Sequence, residues 1–372
     1  MSPTMIPLRP PASRDASELS DAQELERAID RSFAVPVSAL GGAALMVVLV
    51  ALFSSSSGAA TLPPGGVVTT LVDRLPGVSV ATSLSERQQA VLLQIRLPRM
   101  VLGMLVGAAL GMAGAAFQGV FRNPLADPYL LGVSAGAGFG AVLALGFGLD
   151  LGWGPFAAVP AAAFVGALVA VTASALVARG SFSSPATLLL SGVAMAALFS
   201  AAQTFALSKL DETRAREVLS WLFGRLATSG WDQVVLLGPY VAVCGGILLA
   251  HRRHLDVLRV GDDEARALGL DPARSRLVVI VAATLLTAAA VSVSGLIAFV
   301  GLVVPHMVRL VASHSYRVIL PVSALVGAAL LAGVDVGART LVAPAELPVG
   351  VITALVGAPV FALVLRRSHG RA

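Results

Sequence analysis

Ten apolar runs dominate the chain, at roughly 35–57, 98–120, 128–149, 155–178, 185–208, 230–250, 275–293, 295–311, 319–341 and 348–365. Each approaches the ~20 residues that an α-helix needs to cross the hydrocarbon core of a bilayer. The pattern predicts an all-α polytopic membrane protein with about ten transmembrane helices. The runs between 275 and 311 are short and separated only by VSVSG, so the count is least fixed there. Only 13% of the 372 residues are Asp, Glu, Lys or Arg, and 56% are hydrophobic. So few charges cannot cover a soluble protein of this size, which excludes cytoplasmic enzymes and readers of nucleic acid.

Charge instead sets topology. The net charge of +5 comes from basic residues scattered singly, with no basic patch for a polyanion. Placing the N-terminus inside and counting ten spans puts 17 of the 26 basic residues on the inner side. The positive-inside bias then predicts that both termini are cytoplasmic.

Residues 1–33 form a polar tail ahead of the membrane domain at 34–367, and 368–372 close the chain. Within the tail, Ser20 and Gln23 fit a capping box, and Leu25, Ile29 and Phe33 share one helical face. This predicts a short amphipathic helix against the inner membrane surface. A signal peptide does not fit, because six acidic residues precede a first apolar run long enough to span.

Glycines recur every four positions at Gly103, Gly107 and Gly111, and again at Gly132, Gly136 and Gly140. Such ladders let helix backbones approach closely in lipid. Asp335 and Arg339 lie four apart in an apolar helix, and pairing on one face would offset part of the cost of charge there. Arg96 and Arg99 flank Pro98 at the outer end of the second span, where they read either as interface markers or as receptors for carboxylates on an external partner. In RNPLADP, from Arg122 to Pro128, Asn123 and Asp127 each precede a proline and define a tight turn. That turn either joins two helices or gates a pathway.

The polar stretch 251–276 reads as a compact knob on the inner face. Asp262 caps a short helix through Ala267, Gly269 stops it, and Asp271 before Pro272 caps the next segment. Such structure exceeds what a connector needs and suggests docking of a cytoplasmic partner. Cys244 reads as a small buried hydrophobe. His306 lacks a second ligand at metal-site spacing, and His251 and His254, three apart, sit beside Arg252 and Arg253, which disfavour a bound cation, so no metal or cofactor is assigned. The single lysine, Lys209, sits in ALSKLDE with no glycine-rich loop before it, so any ATP used must be held by another polypeptide.

LQIRLPRM, the run from Gln118 through GVFRNPLADPYLLGVSAGAGFG, WLFGRL, VGDDEARALGLD, SGLIAFVGLVVPHMVRL and AELPVGVITALVGAPVFALVL occur in that order. Together they resemble the FecCD or BtuC-type permease family of ABC importers. The resemblance implies the type II ABC importer permease fold, with helices two to five and seven to ten as inverted repeats. It implies a homodimer with the path between its copies, and two cytoplasmic ATPase subunits carrying ATP and Mg. A substrate-binding protein would dock outside. By the same resemblance, residues 262–276 carry the coupling helices, with Asp262, Glu264, Ala265, Leu268 and Gly269 facing the ATPase. Arg96, Arg99 and Arg339 would meet the binding protein, and Asn123 and Leu125, with Ser183 and Ser184, would gate the cytoplasmic mouth. The implied cargo is a ferric siderophore first, with haem or cobalamin as alternatives. Two features depart from the family: the long tail, and Arg225 in WLFGRL where a small polar residue is usual. A different class, the ion-coupled secondary carrier, needs titratable groups near the midplane, and the spans hold almost no unpaired acid.

Overall fold

The computed structural model describes residues 37–58, 61–149, 158–178, 185–226 and 230–369. The tail with its expected amphipathic helix, and Ser183 and Ser184, lie outside the described residues. Within them every regular element is helical. Seven helices are long and apolar enough to cross a membrane, and three shorter apolar helices accompany them.

The first described helix is α1 (Val37–Ser56), followed by a short helix, α2 (Pro64–Asp73). Ser85 then starts α3 (Glu86–Val91) with a reciprocal capping box to Gln88. A π-turn over Leu92–Arg96 leads directly into α4 (Leu97–Val120). The second span is therefore a continuous helical rod from Glu86, twelve residues earlier than the apolar run suggests, because the polar residues ERQQ remain helical. Next come α5 (Val133–Gly146), α6 (Ala158–Val177), α7 (Pro185–Leu207), the short amphipathic α8 (Glu212–Leu222) and α9 (Trp231–Ala250). Two short helices follow, α10 (Arg252–Leu258) and α11 (Asp262–Ala267). The chain finishes with α12 (Pro272–Ser294), α13 (Val300–Val311), α14 (Tyr316–Thr340) and α15 (Val349–His369).

Helices α4, α12 and α14 form the centre, while α1, α6, α7 and α9 keep most of their surface outward. Lipid supplies no hydrophobic drive between helices, so close backbone contact must hold the centre together. The glycine ladder does this: a Cβ on Gly107 would lie 2.1 Å from the carbonyl oxygen of Gly327 on α14. The second ladder works likewise, with a Cβ on Gly136 only 2.3 Å from the carbonyl oxygen of Gly166 on α6. Cys244 is buried and unpaired, as its apolar surroundings suggest.

Two of the ten expected spans are discontinuous. Helix α5 has 14 residues and α13 has 12, or about 21 and 18 Å of rise, too little for a hydrocarbon core of about 30 Å. Each is preceded by irregular chain that turns back into the bundle. Pro128 opens a 3₁₀ turn, Pro128–Leu131, and its ring meets Gly301, which in turn abuts Gly114, six residues before the end of α4. Irregular backbone at that depth needs polar partners. The Tyr129 hydroxyl supplies them, donating to the Ile297 carbonyl at 2.8 Å and accepting from the Ile297 N–H at 3.2 Å. One phenol thus joins the two re-entrant segments.

The bundle has two polar ends. The last turn of α1 meets Arg339 near the end of α14, while Arg122, just beyond α4, meets Asp262 at the start of α11. Helix α1 reaches the Arg339 end with its last turn, so its first residue, Val37, points to the opposite end.

Candidate functional site

At the first polar end, Arg99 grips Asp335 through Nε at 3.0 Å and Nη2 at 2.8 Å, and its Nη1 reaches Glu346 at 3.0 Å. Arg339 sits 3.2 Å from the other oxygen of Asp335 and donates to the Ser54 carbonyl and hydroxyl of α1. Arg96 donates to the carbonyls of Ser55 and Ser56 at 2.9 and 3.2 Å. Cations here complement the unsatisfied carbonyls that end α1. The expected Asp335–Arg339 pair exists, and the structure adds Arg99 from 236 residues away.

The three arginines assigned by resemblance to docking are therefore brought to one end, but their guanidiniums turn inward. Arg96 and Arg99 are 6% and 7% exposed, and Asp335 is 1% exposed. Glu346, with a side chain 40% exposed, is the member of the network that meets solvent. Arg225 lies near this end, with Nη1 donating to the Ser220 hydroxyl.

At the second end, α4 terminates in a left-handed cap. The N–H of Arg122 bonds to Gly119 and that of Asn123 to Gln118, and Arg122 takes φ +49°. Glycine normally fills this position, and a residue with a Cβ costs about 1 kcal/mol more there. The Arg122 side chain uses that placement: Nε donates to the Leu258 carbonyl at 2.6 Å, and Nη2 bonds to Asp262. The turn beyond is fixed as its prolines suggest. Asn123 Oδ1 accepts from the Leu125 N–H at 2.9 Å, and Asp127 Oδ1 accepts from the Tyr129 N–H at 2.8 Å. Leu125 is 44% exposed at the tip of this turn.

The knob differs from expectation in one respect. Gly261, not Asp262, occupies the N-cap of α11, so Asp262 is the first helical residue and caps nothing. Its carboxylate is held by Arg276 of α12, with Nη1 at 2.7 Å from Oδ2 and Nη2 at 2.5 Å from Oδ1, and by Arg122. Hydrogen bonds from Arg276, then the charges of both arginines, hold the Asp262 carboxyl below the usual carboxylate range. The second short helix expected after Asp271 is the first turn of the long α12, capped by Asp271 as the sequence suggests. Of the other residues assigned to coupling, Ala265 is buried, whereas Glu264, Leu268 and Gly269 are exposed. Leu268 and Val260 stand out at 71% and 70% exposure. Asp256 caps α14 by accepting from the Tyr316 N–H and the Ser315 hydroxyl, both at 2.8 Å.

Arg122, Asp256 and Arg276 escaped the sequence reading as contact residues. Their partners lie 136, 60 and 14 residues away, and no spacing rule links such positions. Among the described residues no group of three His, Cys, Asp or Glu side chains could hold a metal. An apolar cleft of about 230 Å³ between α6, α7 and α12 includes Leu131, Val171, Leu188 and Ile280 in its walls. It falls below the roughly 300–1,000 Å³ of pockets that take drug-sized ligands.

A multi-pass bundle with discontinuous helices, an ion-pair network at one end and a helical knob at the other has the build of a membrane transporter. Comparison with known proteins narrows this class. The family model for the FecCD transport family matches residues 45–367, and the chain belongs to that family. The cobalamin import system permease protein of Halobacterium salinarum is 45% identical over 288 residues, 77% of this chain and 76% of that one. The hemin transport system permease protein of Yersinia pestis is 39% identical, covering 78% of this chain and 87% of its own length. A solved structure described as an inward-facing conformation of a metal-chelate type ABC transporter superposes with a TM-score of 0.77. It is 33% identical and covers 88% of this chain and 98% of that one. The chain is thus an ABC importer permease of the FecCD family and a multi-pass membrane protein.

Proposed function

We propose that the chain is the permease subunit of an ATP-driven importer of metal chelates and works as a homodimer with the path between its copies. The observation that carries this reading is the knob formed by α10, α11 and the start of α12. It projects Leu268 and Val260 from the same end as the turn holding Asn123 and Leu125. Exposed apolar side chains on a polar knob suit a protein partner. That partner is a pair of cytoplasmic ATPase subunits, which hold ATP and Mg, and Glu264, Leu268 and Gly269 face them.

In this reading the Arg122 end is cytoplasmic, with both termini, and Asn123 and Leu125, together with Ser183 and Ser184, gate the inner mouth. The opposite end receives a substrate-binding protein. Arg96, Arg99 and Arg339 shape that face from within, and Glu346 is its solvent-facing charge. Cargo is a ferric siderophore, haem or cobalamin. The names of the relatives support the chelate class, and uptake of the three compared side by side selects among them.

Leu268→Asp tests the docking surface. Burying a leucine at an interface contributes about 1.5–3 kcal/mol, so its loss weakens ATPase association about ten-fold or more. Copurification from mild detergent, quantified against the unaltered chain, is expected to show that drop while the permease stays monodisperse. Equal recovery of the ATPase with both chains would move the docking surface elsewhere.

A further inference from the structure

Asp262 lies in the segment that resembles a coupling helix, yet its carboxylate is turned into the protein. Both its oxygens are taken by Arg276, whose side chain is 2% exposed, and one is shared with Arg122. A carboxylate forked between two guanidiniums is a strong, directional contact. It is poorly placed to greet a partner but well placed to tie three elements together: α11 through Asp262, the transmembrane α12 through Arg276, and the turn after α4 through Arg122.

We propose that the Arg122–Asp262–Arg276 cluster is the mechanical link between the ATPase docking knob and the turn at the inner mouth, with Arg122 as its positioning residue. The inference rests on the proposed function and adds the connection by which ATPase movement reaches the path.

Three features support it. First, Arg122 stands at a left-handed cap where glycine fits without strain, so the side chain, not the backbone, accounts for an arginine there. Second, it is attached at two points on the knob, the Leu258 carbonyl ending α10 and the Asp262 carboxylate opening α11, so it follows their movement as a unit. Third, the chain beyond Arg122 has little slack. The Asn123 N–H bonds to Gln118, the Asn123 carbonyl accepts from Ala126, and its side chain holds Leu125. Asp127 then fixes Tyr129, whose hydroxyl grips Ile297 in the opposite re-entrant segment. A displacement of α11 is thereby passed to Leu125 and into the core. Nearby charges do not compete for Asp262: Asp263 pairs with Arg266, and Arg259 bonds to the His314 carbonyl.

The test uses the assembled complex of permease, ATPase and binding protein in proteoliposomes, with Arg122→Gly and Arg122→Lys variants. Glycine removes the guanidinium and suits the left-handed backbone, so the fold is retained. The expected result for Arg122→Gly is unchanged thermal stability, ATP hydrolysis within two-fold of the parent, and metal-chelate uptake per ATP reduced at least ten-fold. Arg122→Lys, which can reach Asp262 but not both partners, is expected to restore part of that ratio. A second measurement reads the turn itself. In a Cys244→Ala background, a thiol reagent should modify Leu125→Cys at a rate that changes with ATP, and the change should vanish when Arg122→Gly is added.

Unaltered uptake per ATP in Arg122→Gly, or an ATP response at Leu125→Cys that survives it, overturns the link. Uptake and hydrolysis falling together with stability would make the cluster a structural brace only, which also overturns it. Failure of the parent complex to import any chelate with ATP would instead overturn the proposed function, and the inference with it.

Discussion

Replacing Asp335 with asparagine lowers the stability of the detergent-solubilised chain by about 3–5 kcal/mol, the range for removing one partner of a buried ion pair. Asp335 is 1% exposed and is the shared anion of Arg99 and Arg339. Asparagine is isosteric, so no cavity opens, and the loss is electrostatic. It leaves two buried guanidiniums facing each other, with only Arg99 still paired, through Glu346. Glu346→Gln is the control: its carboxylate is 40% exposed and solvent-screened, so its removal costs about 1 kcal/mol or less. Thermal unfolding of both variants by the same probe reads the contrast. Equal small shifts in the two would show that the network contributes nothing beyond surface pairing.

Gly107→Leu gives the second large effect. A Cβ at this position lies 2.1 Å from the Gly327 carbonyl oxygen and 2.6 Å from its carbon, where ordinary contacts are 3.4–4 Å. The obstacle is backbone, which cannot swing aside as a side chain can. Helices α4 and α14 must therefore separate by an ångström or more along the ladder that Gly111 continues against Ser323. Without a hydrophobic force to hold them in lipid, that separation forfeits their dispersion contacts. We expect a loss on the order of 3 kcal/mol or more, read as little monodisperse protein after extraction and size exclusion. Gly246→Ala, where nothing lies within 4 Å of an added Cβ, should be recovered like the parent. Normal recovery of Gly107→Leu would mean that the two helices are not packed as described.

What the sequence made legible, and what it hid, follows from the range of each physical signal. The glycine ladders and the Asp335–Arg339 spacing are local, and each reappears in the structure. The partner Arg99 was hidden because the pairing depends on how α4 lies against α14. The runs at 128–149 and 295–311 were read as whole spans because an apolar run has the same composition whether it is one helix or a re-entrant turn plus a half-helix. The late starts of α5 and α13 show the break, and the Tyr129–Ile297 bonds and the Pro128–Gly301 contact hold it. Asp262 misled for a similar reason. An acid at the start of a helix fits both an N-cap and the first helical turn, and the two arginines that hold it come from α12 and from the turn after α4. At the site, the proline-fixed turn is readable from residues, Leu268 enters only through the family resemblance, and Arg122 and Arg276 require the fold.

The most direct measurement of the central claim is uptake of labelled ferric siderophore, haem and cobalamin into proteoliposomes holding the permease with its copurified ATPase and binding protein. Each is assayed with ATP, without ATP, and with an imposed proton or sodium gradient in place of ATP. The account predicts accumulation of one chelate that requires ATP and the ATPase and is insensitive to either gradient. Gradient-driven accumulation by the permease alone, with no dependence on ATP, would contradict it and identify an ion-coupled carrier instead.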